Sequence, residues 1–302
     1  MIYISQGHER GIGLEIFFKT VILLTKDEQS LINLFIHEKT FLNILNDYHF
    51  SRELFKNIKI TTFNESDKPQ STTSLTKILE IITDKDLLVT LPTSKDQLIL
   101  NKKNKAGYTE FFRDYYHNDS VSMIFKSFSE NVLLLTDHLP LSKAPSAITE
   151  ELVLNKIKTA LCGFDCYFNP INEIIFSGIN PHSGENGILG NEDQVITKAI
   201  SKLQIQFPLI NIFGPLSGDT LHTVVNTQKN QLFVYAHHDQ GLASFKARNG
   251  FIGLNLSFGL SFLRLSVDHG TAFDLYGKNK ANISGMSYLF KSAFEVHHHV
   301  NK

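Results

Sequence analysis

The chain has no tryptophan and only two cysteines, Cys162 and Cys166, among its 302 residues. A single Cys-x-x-x-Cys pair cannot build a four-thiolate zinc site, so two reduced, partly buried thiols are expected. Neither sign of charge is in excess: 29 Lys and Arg against 30 Asp and Glu leave a formal net charge of −1. The basic residues are dispersed, whereas a nucleic-acid surface needs a Lys/Arg-rich face, so that class of partner is excluded. No apolar run reaches the roughly 18–20 residues that span a bilayer, which excludes a membrane helix. The opening Met1-Ile2-Tyr3-Ile4-Ser5-Gln6-Gly7 has no basic region and no cleavage signal. It reads as the first strand of a folded domain, and a cytoplasmic protein is expected. Also missing is a Gly-x-Gly-x-x-Gly fingerprint. Gly7-His8-Glu9-Arg10-Gly11-Ile12-Gly13 has the wrong order for one and reads as a tight turn from strand to helix.

What is present is apolar material: 42% of residues are hydrophobic and 24 are Phe. That suffices for two domains or one large α/β domain. Strands are predicted at 1–6, 58–63, 86–91, 132–135, 174–177, 209–213 and 232–236. Residues 14–24 read as a helix or a helix–strand pair, and helices are predicted at 75–82, 149–160 and 191–203, the one at 149–160 capped by Thr149 with Glu150 and Glu151 near its positive end. Residues 27–55 also look helical, with Leu31, Leu34, Phe35, Phe41, Ile44 and Leu45 at helical spacing. Segments 64–73 and 101–107 read as exposed loops. Alternating strand and helix signals imply an α/β fold with a largely parallel sheet covered on both faces.

Three histidines stand where apolar strands run out into polar, turn-forming residues. They are His138 in Thr-Asp-His-Leu-Pro-Leu, His182 in Asn-Pro-His-Ser-Gly-Glu-Asn-Gly and His238 in His-His-Asp-Gln-Gly. Strand ends of one polarity converge on one crevice in an open α/β sheet. Three imidazoles meeting there can hold one divalent metal and leave positions for a substrate. Asp239 and Glu185 are placed to orient an imidazole. Taken singly, each histidine is equally readable as a structural residue; His297-His298-His299, at the chain end, is a weaker candidate. Lys246 and Arg264 are isolated cations in apolar or glycine-rich stretches, with Asn255 between them. They read as a clamp on a phosphate or carboxylate, or as snorkelling surface side chains. Asp268-His269-Gly270-Thr271-Ala272, followed by Gly277-Lys278 and Ala281-Asn282, suits a loop against a nucleotide and equally a plain turn.

From about Thr136 to Asn282 the chain resembles the 4-hydroxythreonine-4-phosphate dehydrogenase family of pyridoxal phosphate biosynthesis. The motifs that carry the resemblance are Thr136-Asp137-His138-Leu139-Pro140-Leu141, the run from Gly178 to Gly187, Gly214-Pro215-Leu216-Ser217-Gly218-Asp219-Thr220, His238-Asp239-Gln240-Gly241 and Ser266 to Ala272. The resemblance implies that His138, His182 and His238 bind a divalent metal (Zn, Mg, Mn or Co), and that Lys246, Asn255 and Arg264 contact a phosphorylated substrate. Gly107-Tyr108-Thr109-Glu110-Phe111 resembles a substrate-contacting stretch of the family, with Tyr108 where the family has histidine. Thr90-Leu91-Pro92 resembles Thr-Gly-Pro, with Leu91 for glycine, and His237 stands for a usual tyrosine. His269, Gly270, Thr271, Ala272 and Asn282 lie in a segment that resembles the adenosine-binding loop of isocitrate and isopropylmalate dehydrogenases.

That relationship implies NAD as cofactor, with NADP as the alternative, and a homodimer sharing residues at its active sites. It also implies a two-domain α/β/α fold with mostly parallel sheets and the active site in the interdomain cleft. The domains expected are 1–125 plus about 275–302, and 126–274 carrying the metal ligands and dimer contacts. The reaction implied is oxidation of 4-phosphooxy-L-threonine with decarboxylation to 3-amino-2-oxopropyl phosphate. Lys246 would act in catalysis beside Asp219 or Asp239, the candidates for proton handling. Two alternatives stand: a related dehydrogenase of erythronate or threonate 4-phosphate, and a non-catalytic metal- or phosphate-binding descendant.

Overall fold

The computed structural model describes residues 1–64 and 67–301. The described chain runs through strands β1 (Ile2–Ser5), β2 (Ile32–His37), β3 (Lys59–Phe63), β4 (Leu87–Thr90), β5 (Ile99–Leu100), β6 (Lys103–Asn104), β7 (Ser122–Lys126), β8 (Asn131–Leu134), β9 (Glu173–Ser177), β10 (Asn211–Leu216), β11 (Gln231–Tyr235), β12 (Leu254–Phe258) and β13 (Leu263–Val267). It forms two compact units, Met1–His117 with Leu260–Lys302, and Asn118–Gly259. The edges expected at 125/126 and near 274/275 thus stand at 117/118 and 259/260. β13 lies in the first unit because it pairs in parallel with β4.

In the first unit the strand order is β13-β4-β1-β2-β3, every pair parallel. Strands buried on both faces read as near-continuous apolar runs, and this is where the reading of 27–55 as helix fails. Ile32-Asn-Leu-Phe-Ile-His37 is a central strand with five of six residues buried, and only Glu38–Asp47 after it is helical. A short apolar run fits both periods, so the packing of β2 between β1 and β3 decides. The expected loop 64–73 also changes. Glu65 and Ser66 lie outside the described residues, and a helix runs over Gln70–Leu79 rather than 75–82. Its Ser71, Thr72, Thr73 and Ser74 are buried; Ser74 Oγ donates to Phe35 O at 2.7 Å and Ser71 Oγ to Gly7 O at 2.5 Å. Hydroxyls that bond backbone acceptors can face the sheet, which a polarity count misses. The expected loop 101–107 holds the turn and second strand of a hairpin, β6 paired with the preceding β5 and the chain turned through Asn101 and Lys102 at φ 52° and 60°. Phenylalanine fills this core: Phe17, Phe18, Phe41, Phe55, Phe111 and Phe112 are buried, with Phe18 and Phe55 edge to face at 4.7 Å.

In the second unit the order is β10-β9-β11-β8-β7-β12. The first four strands are mutually parallel, and β7 runs antiparallel to β8 and β12. The helix Glu150–Tyr167 begins as expected, with the Thr149 hydroxyl accepting from Leu152 N at 3.1 Å, but it continues a further two turns. A Cβ on Gly163 would lie 2.3 Å from the Phe258 ring, so glycine is what lets this helix approach β12. On its outer face Cys162 and Cys166 are free thiols and exposed rather than partly buried. No helix among the described residues is long and apolar enough to cross a membrane.

Candidate functional site

The parallel run β10-β9-β11-β8 sends four connections off the same edge of the second unit's sheet. They carry Asp219, His182, His238 and His138 respectively. His138 is exposed on the turn after β8, its backbone N–H donating to Asp137 Oδ1 at 2.9 Å. His238 opens the helix His238–Asn249 after β11, and its Nδ1 lies 2.7 Å from Asp239 Oδ1. The rings of His138 and His238 face each other, centroids 5.8 Å apart and inclined at 39°.

His182 begins a run of five residues, His182 to Asn186, all with left-handed backbone (φ 44–78°). Only Gly184 adopts that conformation without cost; for an ordinary residue it costs roughly 1–2 kcal/mol. The run must therefore be held from outside. Asp193, 5% exposed, accepts from Ile179 N at 2.6 Å, Asn180 N at 3.2 Å and Asn180 Nδ2 at 2.9 Å. A cavity of about 620 Å³ opens here, lined by His182, Asn191, Asp193, Gln194 and Pro215 among others. Among the described residues no group of three His, Cys, Asp or Glu side chains is arranged to hold a metal. The chain thus brings His138 and His238 together and leaves His182 apart from them. Imidazoles are suitable donors for a divalent ion, so the chemistry of the set fits while one chain presents two of the three.

Asp219 is exposed; a hydrogen bond from Ser217 and the nearby His182 hold its carboxyl below the usual range. The bond to His238 does the same for Asp239. Both are carboxylates at neutral pH. Lys246 is exposed in the last turn of the helix His238–Asn249, and Asn255 is half-buried on β12. Gln240 joins the strand ends: its Nε2 donates to Gly178 O at 2.8 Å, and its Oε1 accepts from Ala236 N at 2.9 Å and Ser177 Oγ at 3.1 Å.

The first unit holds a second cluster. Arg264, on β13, is 3% exposed. Its Nε and Nη2 donate to Thr90 Oγ1 at 2.9 and 2.7 Å, and its guanidinium lies 4.9 Å from the centre of the Tyr108 ring. The snorkelling alternative is thereby removed for Arg264. Burial pulls its pKa down to about 10, against a smaller opposing influence of Tyr108, so it stays charged at neutral pH. The buried Tyr108 hydroxyl donates to Leu91 O at 2.9 Å. Next to it, the Thr109 hydroxyl is buried with no hydrogen-bond partner among the described residues.

The segment from His269 to Asn282 is pinned from behind. Ile12 N donates to Thr271 O at 2.9 Å, and the left-handed Ala272 (φ 43°) turns the chain there. Glu15, fully buried, accepts from Lys19 Nζ at 2.6 Å, Tyr48 Oη at 2.9 Å and Ala281 N at 3.0 Å. Tyr48 Oη in turn accepts from Gly277 N at 3.0 Å. A Cβ at Gly270 or Gly277 would meet nothing within 4 Å, so the outer side is open. His269 Nδ1 lies 3.0 Å from Gly270 O, and Asn282 Oδ1 accepts from Ser284 N at 2.8 Å.

Glu15, Thr90, Asp193 and Gln240 were not among the residues singled out from sequence. Thr90 and Gln240 had a signal, each standing inside a motif already quoted; Glu15 and Asp193 had none beyond being carboxylates in helical or turn segments.

The family model for pyridoxal phosphate biosynthetic protein PdxA matches residues 29–293. The chain is 35% identical over 213 residues to 4-hydroxythreonine-4-phosphate dehydrogenase of Sulfurimonas denitrificans, covering 70% of this chain and 67% of that protein. To the enzyme of the same name from Ectopseudomonas mendocina it is 31% identical, covering 69% and 62%. The matched stretch therefore spans about two thirds of these relatives. Among solved structures, 4-hydroxythreonine-4-phosphate dehydrogenase from Klebsiella pneumoniae superposes with TM-score 0.76 at 22% identity, covering 100% of this chain and 99% of that one. Isocitrate dehydrogenase from Methylococcus capsulatus shares the fold at TM-score 0.52 and 10% identity, covering 98% and 85%. The fold is thus the α/β architecture of PdxA structures, with isocitrate dehydrogenase as a more distant neighbour. The chain belongs to the PdxA family, whose curated relatives are named as dehydrogenases.

Proposed function

We propose that this chain oxidises 4-phosphooxy-L-threonine with NAD and a divalent metal, yielding 3-amino-2-oxopropyl phosphate, CO2 and NADH in pyridoxal phosphate biosynthesis. Beyond family membership, the observation that carries the reading is the buried cation Arg264, with the unsatisfied Thr109 hydroxyl close by in sequence to its ring partner. A buried hydroxyl without a partner is costly unless a ligand answers it, and the buried guanidinium supplies positive charge suited to an anionic one.

When bound, the metal supplies Lewis acidity and the dinucleotide a hydride acceptor. His138, His182 and His238 are the residues that would hold the metal. Arg264, Lys246, Asn255 and Thr109 bind the anionic ends of the substrate and orient its carbinol carbon. Asp219 or Asp239 accepts the hydroxyl proton as that carbon gives up hydride. The ketone then lies β to the carboxylate; the bond to CO2 breaks, its electron pair passes toward the ketone oxygen, and a proton returns to carbon.

The open side of His269 to Asn282 suits the adenosine half of NAD or NADP. Exposed Leu139, Leu141, Ile188 and Leu189 flank the His138 and His182 turns. A homodimer would cover them and let a second copy contribute the third imidazole, which answers the separation found within one chain. Two exposed thiols left unbonded fit a reducing cytoplasm.

Tyr108 and Leu91, the departures from the family's pattern, favour a second reading in which the substrate is erythronate or threonate 4-phosphate. NADH formation with a panel of 4-phosphorylated hydroxy acids, with Zn, Mg, Mn or Co added, separates the readings. The first requires the highest kcat/KM with 4-phosphooxy-L-threonine. A preference for a substrate lacking the amino group replaces it with the second, and no NADH with any substrate and metal replaces both with a binding protein.

A further inference from the structure

Resting on the reading of Arg264 and Thr109 as substrate contacts, we propose that Tyr108 is a positioning residue that sets the Arg264 guanidinium through its ring and not through its hydroxyl.

Three observations point the same way. The Tyr108 ring lies against the guanidinium at 4.9 Å, a cation–π distance. The guanidinium also donates twice to one acceptor, Thr90 Oγ1, so ring and hydroxyl both constrain its orientation. The Tyr108 hydroxyl is committed, donating to the main-chain carbonyl of Leu91 at 2.9 Å in a buried site. A phenol has one proton to donate, and this one is spent inside the protein. Burial also holds the phenol above its usual range, which keeps it from serving as a base. Phe112 lies beside the ring and nearly parallel to it, centroids 6.4 Å apart and planes inclined at 23°. Both Tyr108 and Phe112 belong to the helix Tyr108–Tyr116, so the helix aims the ring. Thr109, one residue on, has the reverse status: its hydroxyl is buried and lacks a hydrogen-bond partner among the described residues.

The roles separate in a series of Tyr108→Phe, Tyr108→Leu and Thr109→Val. KM and kcat are measured for the phosphorylated substrate, KM for NAD, and thermal shift on adding inorganic phosphate. Tyr108→Phe keeps the ring and is expected to leave substrate KM within about twofold and the pH profile of kcat/KM unaltered. Tyr108→Leu removes the ring face and is expected to raise substrate KM about tenfold, the equivalent of a cation–π contact, with NAD KM unchanged. Thr109→Val is expected to raise substrate KM by a similar factor. A loss in Tyr108→Phe as large as in Tyr108→Leu, or a basic limb of the pH profile that disappears with the hydroxyl, overturns the proposal. So does full phosphate stabilisation of Thr109→Val. Should Tyr108→Leu not fold, the Phe and Val variants still decide. If the wild type makes no NADH with any substrate, the order of the phosphate thermal shifts reads the clamp independently of the reaction.

Discussion

The two clusters differ in how far the chain completes them alone. In the first unit, Arg264 is buried between strand β4 and an aromatic platform, and each of its named partners comes from the same unit. In the second unit His138 and His182 sit exposed on turns, His238 opens a helix, and two of the three rings face each other. A site built from strand side chains is rigid before any ligand arrives; a site on turns depends on what holds the turns. The first cluster therefore answers to packing, the second to anchoring and to a partner.

The sharpest way to break that contrast is Arg264→Ala. It removes a buried cation and leaves the Thr90 hydroxyl and the Tyr108 ring facing a void, a loss of about 3 kcal/mol. Substrate KM should rise about a hundredfold with NAD KM little changed; equal effects on both would put Arg264 outside the clamp. Next is Asp193→Ala, which releases the left-handed turn carrying His182. Bound metal, measured by elemental analysis, should fall about tenfold or more while the far-ultraviolet circular dichroism is retained. Unchanged metal content would make the Asp193 anchor irrelevant to the site. Smaller is Glu15→Gln, which weakens the hold on Ala281 and Tyr48. NAD KM should rise about fivefold with substrate KM unchanged, and no change would detach the pinned loop from cofactor binding.

The smallest effect concerns stability alone. Glu173, buried on β9, accepts from Gln231 Nε2 at 2.6 Å and Lys229 Nζ at 2.8 Å. Burial raises its pKa, but these two partners together outweigh that and leave it lowered. A carboxyl with a lowered folded-state pKa stabilises above its unfolded value, and the gain disappears as pH falls through the folded one. Wild-type Tm should therefore drop on acidification below about pH 4.5, and Glu173→Gln should flatten that drop.

Much of this was legible in the chain. His138, His182 and His238 stand after strands because apolar runs ending in Asn, Asp, Gly and Pro mark the ends of parallel strands, and β8, β9 and β11 are adjacent and parallel. Thr149 followed by Glu150 and Glu151 marked a helix start that the hydrogen bond to Leu152 N realises. Strand β2 was not legible, because Leu31, Leu34 and Phe35 satisfy a helical period until the neighbouring strands are known. Nor was the burial of Ser71 to Ser74, which depends on acceptors 64 and 39 residues away. Glu15 shows the limit most clearly: a glutamate in a helix reads as a solvated side chain, while its partners lie 33 and 266 residues off. Tyr108 was legible as a departure from a motif, but the commitment of its hydroxyl to Leu91 O was not.

The most direct test of the account is subunit complementation. His182→Ala and His238→Ala are each purified, shown to lack metal and NADH formation, then mixed under conditions that exchange subunits. If two copies share each metal site, mixed dimers keep one intact trio of imidazoles. Activity and bound metal should then return to about a quarter of wild type, because random exchange makes half the dimers mixed with one of two sites whole in each. No recovery in a mixture proven to contain mixed dimers would contradict a shared three-histidine centre.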